Sequence, residues 1–130
     1  MANAPTTQTP HSLDGVRILV VEDNPVIAYD IADSLEEAKA VVLVRGRVMD
    51  ALAALENEEP IDGAVLDVNL PDGVVTPVAD RLFARRVPVI FCTGVGLPFA
   101  LKQRFPDAVV FMKPVMMSQL IGRLAQLIGR

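Results

Sequence analysis

The chain has no tryptophan, one tyrosine, one histidine and one cysteine in 130 residues. A lone cysteine, Cys92, closes no internal disulfide, so the sequence carries no mark of an oxidising compartment and a cytoplasmic setting is expected. The lone histidine, His11, lies among Pro, Thr, Asn and Gln as a solvated residue, and no His/Cys cluster exists from which a zinc or transition-metal site could be built. No segment reaches the roughly 18 apolar residues of a membrane span. The opening "MANAPTTQTPHSLDG" lacks the basic start and apolar centre of a signal peptide. Positive charge is in deficit too, 12 Lys and Arg against 16 Asp and Glu, and the net charge of -4 argues against nucleic acid. Proteins and small ions are left as partners, with no membrane among them.

What is present is apolar: 52% hydrophobic and 22% charged residues, a balance that fits one packed domain. Residues 1–14 read as a flexible tail and 15–130 as the domain. From Val16 onward, short β-branched runs alternate with segments of helical period. "VRILVV", "AVVLVRG", "IDGAVLD", "VPVIFCTG" and "AVVFMK" are the strands. Between them, Ile27, Ile31 and Leu35 recur every four residues on one helical face behind Pro25, "MDALAALENEE" is a second helix, and "TPVADRLFARR" a third. Met117, Leu120, Ile121, Leu124 and Ile128 define a terminal amphipathic helix. Alternation of this kind gives an α/β fold: a doubly wound, flavodoxin-like sheet of five parallel strands, with ligands beyond the strands' carboxyl ends. Between the last two strands, "FALKQRF" is held between Pro98 and Pro106, so the fourth helix is expected to be short or irregular.

The strand ends carry chemistry. The first is followed by Glu22-Asp23, the third ends in Asp67, the fourth in Thr93-Gly94 and the fifth in Lys113-Pro114. Carboxylates gathered this closely raise one another's pKa unless a cation sits among them, and Mg²⁺ suits carboxylates combined with waters and phosphate oxygens. Asp67 is the natural nucleophile toward a phosphoryl group, with Lys113 as a fixed positive charge and Thr93 as a hydroxyl. Singly, each has an ordinary explanation, since Asp and Thr after a strand mostly cap helices or turns. Their coincidence at four strand ends of one sheet is what points to a site.

"ILVVEDNP", "VLDVNLPDG", "IFCTG" and "FMKP" occur in the order of the motifs of response regulator receiver domains, which the chain resembles from Val16 to Arg130. The resemblance implies a Mg²⁺-dependent phosphoacceptor at Asp67. Asp23 would be the principal metal carboxylate, Glu22 would act largely through water, and the backbone carbonyl of Asn69 would be a further ligand. It implies that Thr93 is the switch hydroxyl, that Lys113 pairs with phosphate, and that the Lys113-Pro114 bond is cis. The phosphodonor would be a sensor histidine kinase or a histidine phosphotransfer protein. The domain would be no enzyme beyond catalysing its own phosphorylation and dephosphorylation, and would act on a protein partner or as a phosphate shuttle or sink.

"DVNLPDGVVTPVADRLFARRVPVIFCTGVG" further resembles the FATGUY subgroup of single-domain regulators, from which Cys92 and Val95 depart. A second departure is Val110, standing where most receivers carry an aromatic lever; Phe111 lies on the opposite face of the strand. Three rival readings stand beside this one. A non-phosphorylated pseudo-receiver acting only as a scaffold would typically have lost the acidic pair, the Asp or the Lys, all of which are retained here. A receiver excised from a hybrid histidine kinase would share these motifs. A haloacid-dehalogenase-like phosphatase would need an acid two residues after the nucleophile, where this chain has Asn69.

Overall fold

The computed structural model of the chain describes residues 12–57 and 60–130; His11 and most of the stretch assigned to a tail lie outside the described residues. The elements run β1 (Arg17–Val21), α1 (Pro25–Glu37), β2 (Val41–Arg45), α2 (Val48–Asn57), β3 (Gly63–Asp67), β4 (Asn69–Leu70), β5 (Gly73–Val74), α3 (Thr76–Ala84), β6 (Val89–Thr93), α4 (Phe99–Arg104), β7 (Val109–Met112) and α5 (Met117–Ile128). Five strands form one parallel sheet in the order β2-β1-β3-β6-β7, the doubly wound architecture expected. The chain winds outward from β1 in one direction to β2 and in the other to β3, so the crevice of such a sheet opens at the carboxyl ends of β1 and β3.

Alternation along the strands divides the core between two faces. Leu19, Val21, Leu66 and Phe91 face α2, α3 and α4, where Leu55, Val78, Leu82 and Leu101 close over them. Ile18, Val20, Val65 and Ile90 face α1 and α5, against Ile31, Leu35, Leu120 and Leu124. The helix α1 starts where it does because the Asn24 side chain accepts hydrogen bonds from the Val26 and Ile27 amides, at 3.0 and 3.2 Å, with Pro25 in the first turn.

Three features depart from the sequence reading or extend it. Leu13, inside the stretch assigned to the tail, is fully buried against the α1/α5 face, and its amide donates to Ala38 O at 2.9 Å. A single apolar residue among polar ones gives no periodic signal. "NLPDG", which the sequence reading left outside the strands and helices, forms with Val74 a two-stranded hairpin with Asn69 opposite Val74 and Leu70 opposite Gly73, the last at φ +140°, where glycine is favoured. Two residue pairs are too few for an alternating pattern to show. The fourth helix is indeed short, six residues, and beneath it Phe105 stacks on Phe83 with centroids 4.3 Å apart, Phe91 lying 6.2 Å from Phe105. Val95, between β6 and α4, is 84% exposed, and Phe99, the first residue of α4, 72%. The Lys113-Pro114 bond is cis, as the resemblance implies.

The terminal helix lies directly over Gly63, where an added Cβ would stand 2.9 Å from Ile128 Cδ1 and 3.1 Å from Ile18 Cδ1. Gly63→Val should therefore overpack this layer and lower stability by about 1–3 kcal/mol in urea unfolding. Unchanged stability would mean that the Ile128, Ile18 and Leu124 side-chain ends swing aside to admit the added volume.

Candidate phosphoacceptor site

Because β1 and β3 are neighbours, Glu22 and Asp23, just past the end of β1, come to lie beside Asp67 at the end of β3. Carboxylate oxygens of the three residues lie within 4.8 Å of one another. Asp23 is exposed, Asp67 half-buried, and Glu22 only 4% exposed. The buried Glu22 is fully engaged. Its Oε2 accepts from the Asn24 amide at 3.0 Å, its Oε1 accepts from Lys113 Nζ at 2.8 Å, and its own amide donates to Arg45 O at 2.9 Å. Lys113 is delivered from beyond β7, across β6, and its Nζ also stands 3.4 Å from Asp67 Oδ2. Asp67 Oδ1 accepts from the Val68 amide at 2.8 Å.

Burial raises the Glu22 pKa, outweighing the hydrogen bonds from Lys113 and the Asn24 amide. Burial pulls Lys113 the other way, but the hydrogen bond and field of Glu22, together with Asp67, overcome it and leave the ammonium above its usual value. An oxygen-only donor set of carboxylates, partly exposed and with one fixed ammonium at its side, fits a hard divalent cation.

The sequence-predicted residues are thus brought together, with one qualification. Thr93 is buried at the end of β6, but its hydroxyl is held by its own loop. Oγ1 accepts from the Val95 amide at 3.2 Å and donates to Gly96 O at 3.1 Å. Asn69 opens the hairpin two residues past Asp67. Val110 packs with the α2/α3/α4 face and Phe111 with the opposite one, as strand alternation requires. A cavity of about 360 Å³ adjoins Lys113, with Ile27, Asp30 and Ile31 of α1 and Cys92 among its lining residues. Sequence reasoning missed Asn24 as the residue that both caps α1 and fixes Glu22; Asn before Pro was the available signal. It also missed Asp72, whose two carboxylate oxygens accept from the Val48 and Met49 amides, at 2.8 and 3.1 Å, across the gap to α2.

No family model matches the chain. Among curated proteins it is 30% identical over 138 residues to the sensor protein TorS of Escherichia coli, covering 98% of this chain and 15% of TorS. It spans less than half the length of a second curated relative. Among solved structures it is similar to SdrG from Sphingomonas melonis, with 39% identity, a TM-score of 0.73, and coverage of 88% of this chain and 97% of that one. It is also similar to the receiver domain of the sensor histidine kinase PA1611 from Pseudomonas aeruginosa, described with magnesium in its active-site cleft (26% identity, TM-score 0.75, 89% and 99% coverage). Strand order, strand-end carboxylates and these likenesses together define the class. The chain belongs to the response regulator receiver domains of two-component signalling.

Cys92, beside this site, is buried, and burial pushes its thiol from 9.0 up to about 12, with Glu22 and Asp67 adding to the shift and Lys113 opposing it. The folded protein at pH 8 should resist a thiol reagent that labels the urea-unfolded chain; equal rates would put Cys92 within reach of solvent. Because the unfolded thiol ionises first, stability should fall as pH rises from about 9 towards about 12.

Proposed function

We propose that the chain is a response regulator that accepts a phosphoryl group on Asp67, with Mg²⁺, from a phosphohistidine on a sensor kinase or phosphotransfer protein. The observation that carries this reading is the Asp67 carboxylate at the end of β3, grouped with those of Glu22 and Asp23 and 3.4 Å from the Lys113 ammonium. An Asp67 carboxylate oxygen attacks phosphorus, the N–P bond breaks, and its electron pair stays on the imidazole of the donor. The product is an acyl phosphate. Mg²⁺, held by Asp23, Asp67 and the Asn69 carbonyl, with Glu22 acting largely through water, would neutralise charge on the transferring oxygens. Lys113 adds a second positive charge to the same oxygens. The chain turns over no separate substrate; its chemistry is its own phosphorylation and the hydrolysis of the product.

Output follows from Thr93. To reach a phosphoryl oxygen, its hydroxyl must leave Gly96 O and the Val95 amide, releasing the turn they hold. The exchange gives up two neutral hydrogen bonds, each worth about 0.5–1.5 kcal/mol, for a charge-assisted one worth about 1.5–3 kcal/mol, and the difference sets how far the loop equilibrium shifts. Val110 provides no ring to swing, and the far end of α4 is pinned by the Phe105–Phe83 stack and by Arg104, whose Nε and Nη2 both bond Asp80. The rearrangement is therefore confined to the stretch from residue 94 to α4, where a protein partner reads it.

Incubation with a phosphorylated kinase or acetyl phosphate should label the protein only in the presence of Mg²⁺, and Asp67→Asn should lose the label entirely. Labelling of that variant, or labelling in the presence of chelator, would overturn the assignment. With beryllofluoride and Mg²⁺, amide NMR should show its largest changes outside the site between residues 94 and 106. Changes concentrated in α1 and α2 would show that the signal leaves elsewhere.

A further inference from the structure

The helix α2 begins without a capping residue of its own, since "RGR" precedes Val48 and supplies no Ser, Thr, Asp or Asn. The cap comes instead from Asp72, 23 and 24 residues away at the tip of the β4–β5 hairpin, with Oδ1 on the Val48 amide and Oδ2 on the Met49 amide. Asp72 is exposed, so helix burial does not force it there.

Each end of this contact leads to the site. The hairpin starts at Asn69, two residues from Asp67, and the Val75 amide closes it back onto Val68 O at 2.9 Å. On the other side, the segment entering α2 lies against the acid pair. Arg45 O accepts the Glu22 amide at 2.9 Å, and a Cβ on Gly46 would stand 3.6 Å from Asp23 Cα. A path thus runs from Asp67 along the hairpin to Asp72, across its carboxylate to the start of α2, and back along the chain to Arg45, whose carbonyl accepts the Glu22 amide. Beside this path, the two acidic loops are joined by the sheet beneath them and by the Lys113 ammonium, 2.8 Å from Glu22 and 3.4 Å from Asp67.

We propose that Asp72 is a positioning residue for the metal site, its carboxylate tying the hairpin to α2 and so fixing the distance between the Asp67–Asn69 and Glu22–Asp23 loops. The proposal rests on the Mg²⁺-dependent phosphoacceptor reading. A residue that holds ligand-bearing loops in place, as outer-shell partners of metal ligands do, changes metal affinity by about tenfold or more when removed.

The test measures the Mg²⁺ dissociation constant by calorimetry, and the thermal midpoint without metal, for the wild-type chain, Asp72→Ala, Asp72→Asn, and Asp72→Ala combined with Arg47→Ser. The last variant gives α2 a cap from its own sequence while leaving the tie to the hairpin broken. Asp72→Ala is expected to weaken Mg²⁺ binding about tenfold and to lower the midpoint. Asp72→Asn, which keeps one acceptor, is expected to fall between and carries the comparison if the alanine variant does not fold. Arg47→Ser should restore the midpoint but leave Mg²⁺ binding weak. Wild-type affinity in Asp72→Ala, or affinity recovered together with the midpoint in the double variant, would overturn the proposal, the second result showing that Asp72 acts only as a helix cap. A wild-type chain that binds no Mg²⁺ would overturn the phosphoacceptor reading, and this proposal with it.

Discussion

Three carboxylates at one edge of a sheet repel one another, and one of them, Glu22, is almost wholly removed from water. The Lys113 ammonium, 2.8 Å from Glu22 and 3.4 Å from Asp67, is what makes the arrangement tolerable. An unpaired charge in Glu22's position would cost several kcal/mol; the pairing here is weakened by the fact that the lysine side chain is 21% exposed. The rest of the architecture serves that juxtaposition. The acid pair follows β1 and Asp67 ends β3, while the ammonium reaches both from beyond β7, over β6. The adjacency of β1 and β3 is what sets the acid pair beside Asp67.

The loops above the sheet differ in how firmly they are held. Glu22 and Asn24 are knit into backbone hydrogen bonds on both sides of the acid pair, and the hairpin after Asp67 is closed on itself and tied to α2. The loop after Thr93 is held chiefly by that residue's own hydroxyl. The loop fastened by one side chain is thus the less firmly held of the two, and past it the rings of Phe83, Phe91 and Phe105 pack against one another.

Much of this was legible in the sequence, because strands buried on both faces announce themselves as unbroken apolar runs and a polar residue at the end of such a run stands out. Asp67, Thr93 and Lys113 were visible for that reason. The brevity of α4 was visible because Pro98 and Pro106 bracket it. What escaped was whatever depends on partners distant in the chain or on very short elements. Asp72 reads as a turn residue until α2 is placed beside it, and the β4–β5 hairpin has too few residues to display a period. The direction of the Thr93 hydroxyl was hidden as well. A threonine ending a strand can bond forward into its loop or sideways to a neighbouring strand, and composition does not choose between them. Leu13 illustrates the converse, a core residue disguised by polar neighbours.

Val95 and Phe99 stand almost entirely in water on either side of Leu97 and Pro98, on the segment that the threonine fastens. Sequestering side chains of this size is worth about 1.5–3 kcal/mol each. Covering both therefore approaches the roughly 5.5 kcal/mol that turns a 1:99 population into 99:1. The exposed pair is thus a reserve of solvation energy on the segment that the Thr93 hydroxyl holds.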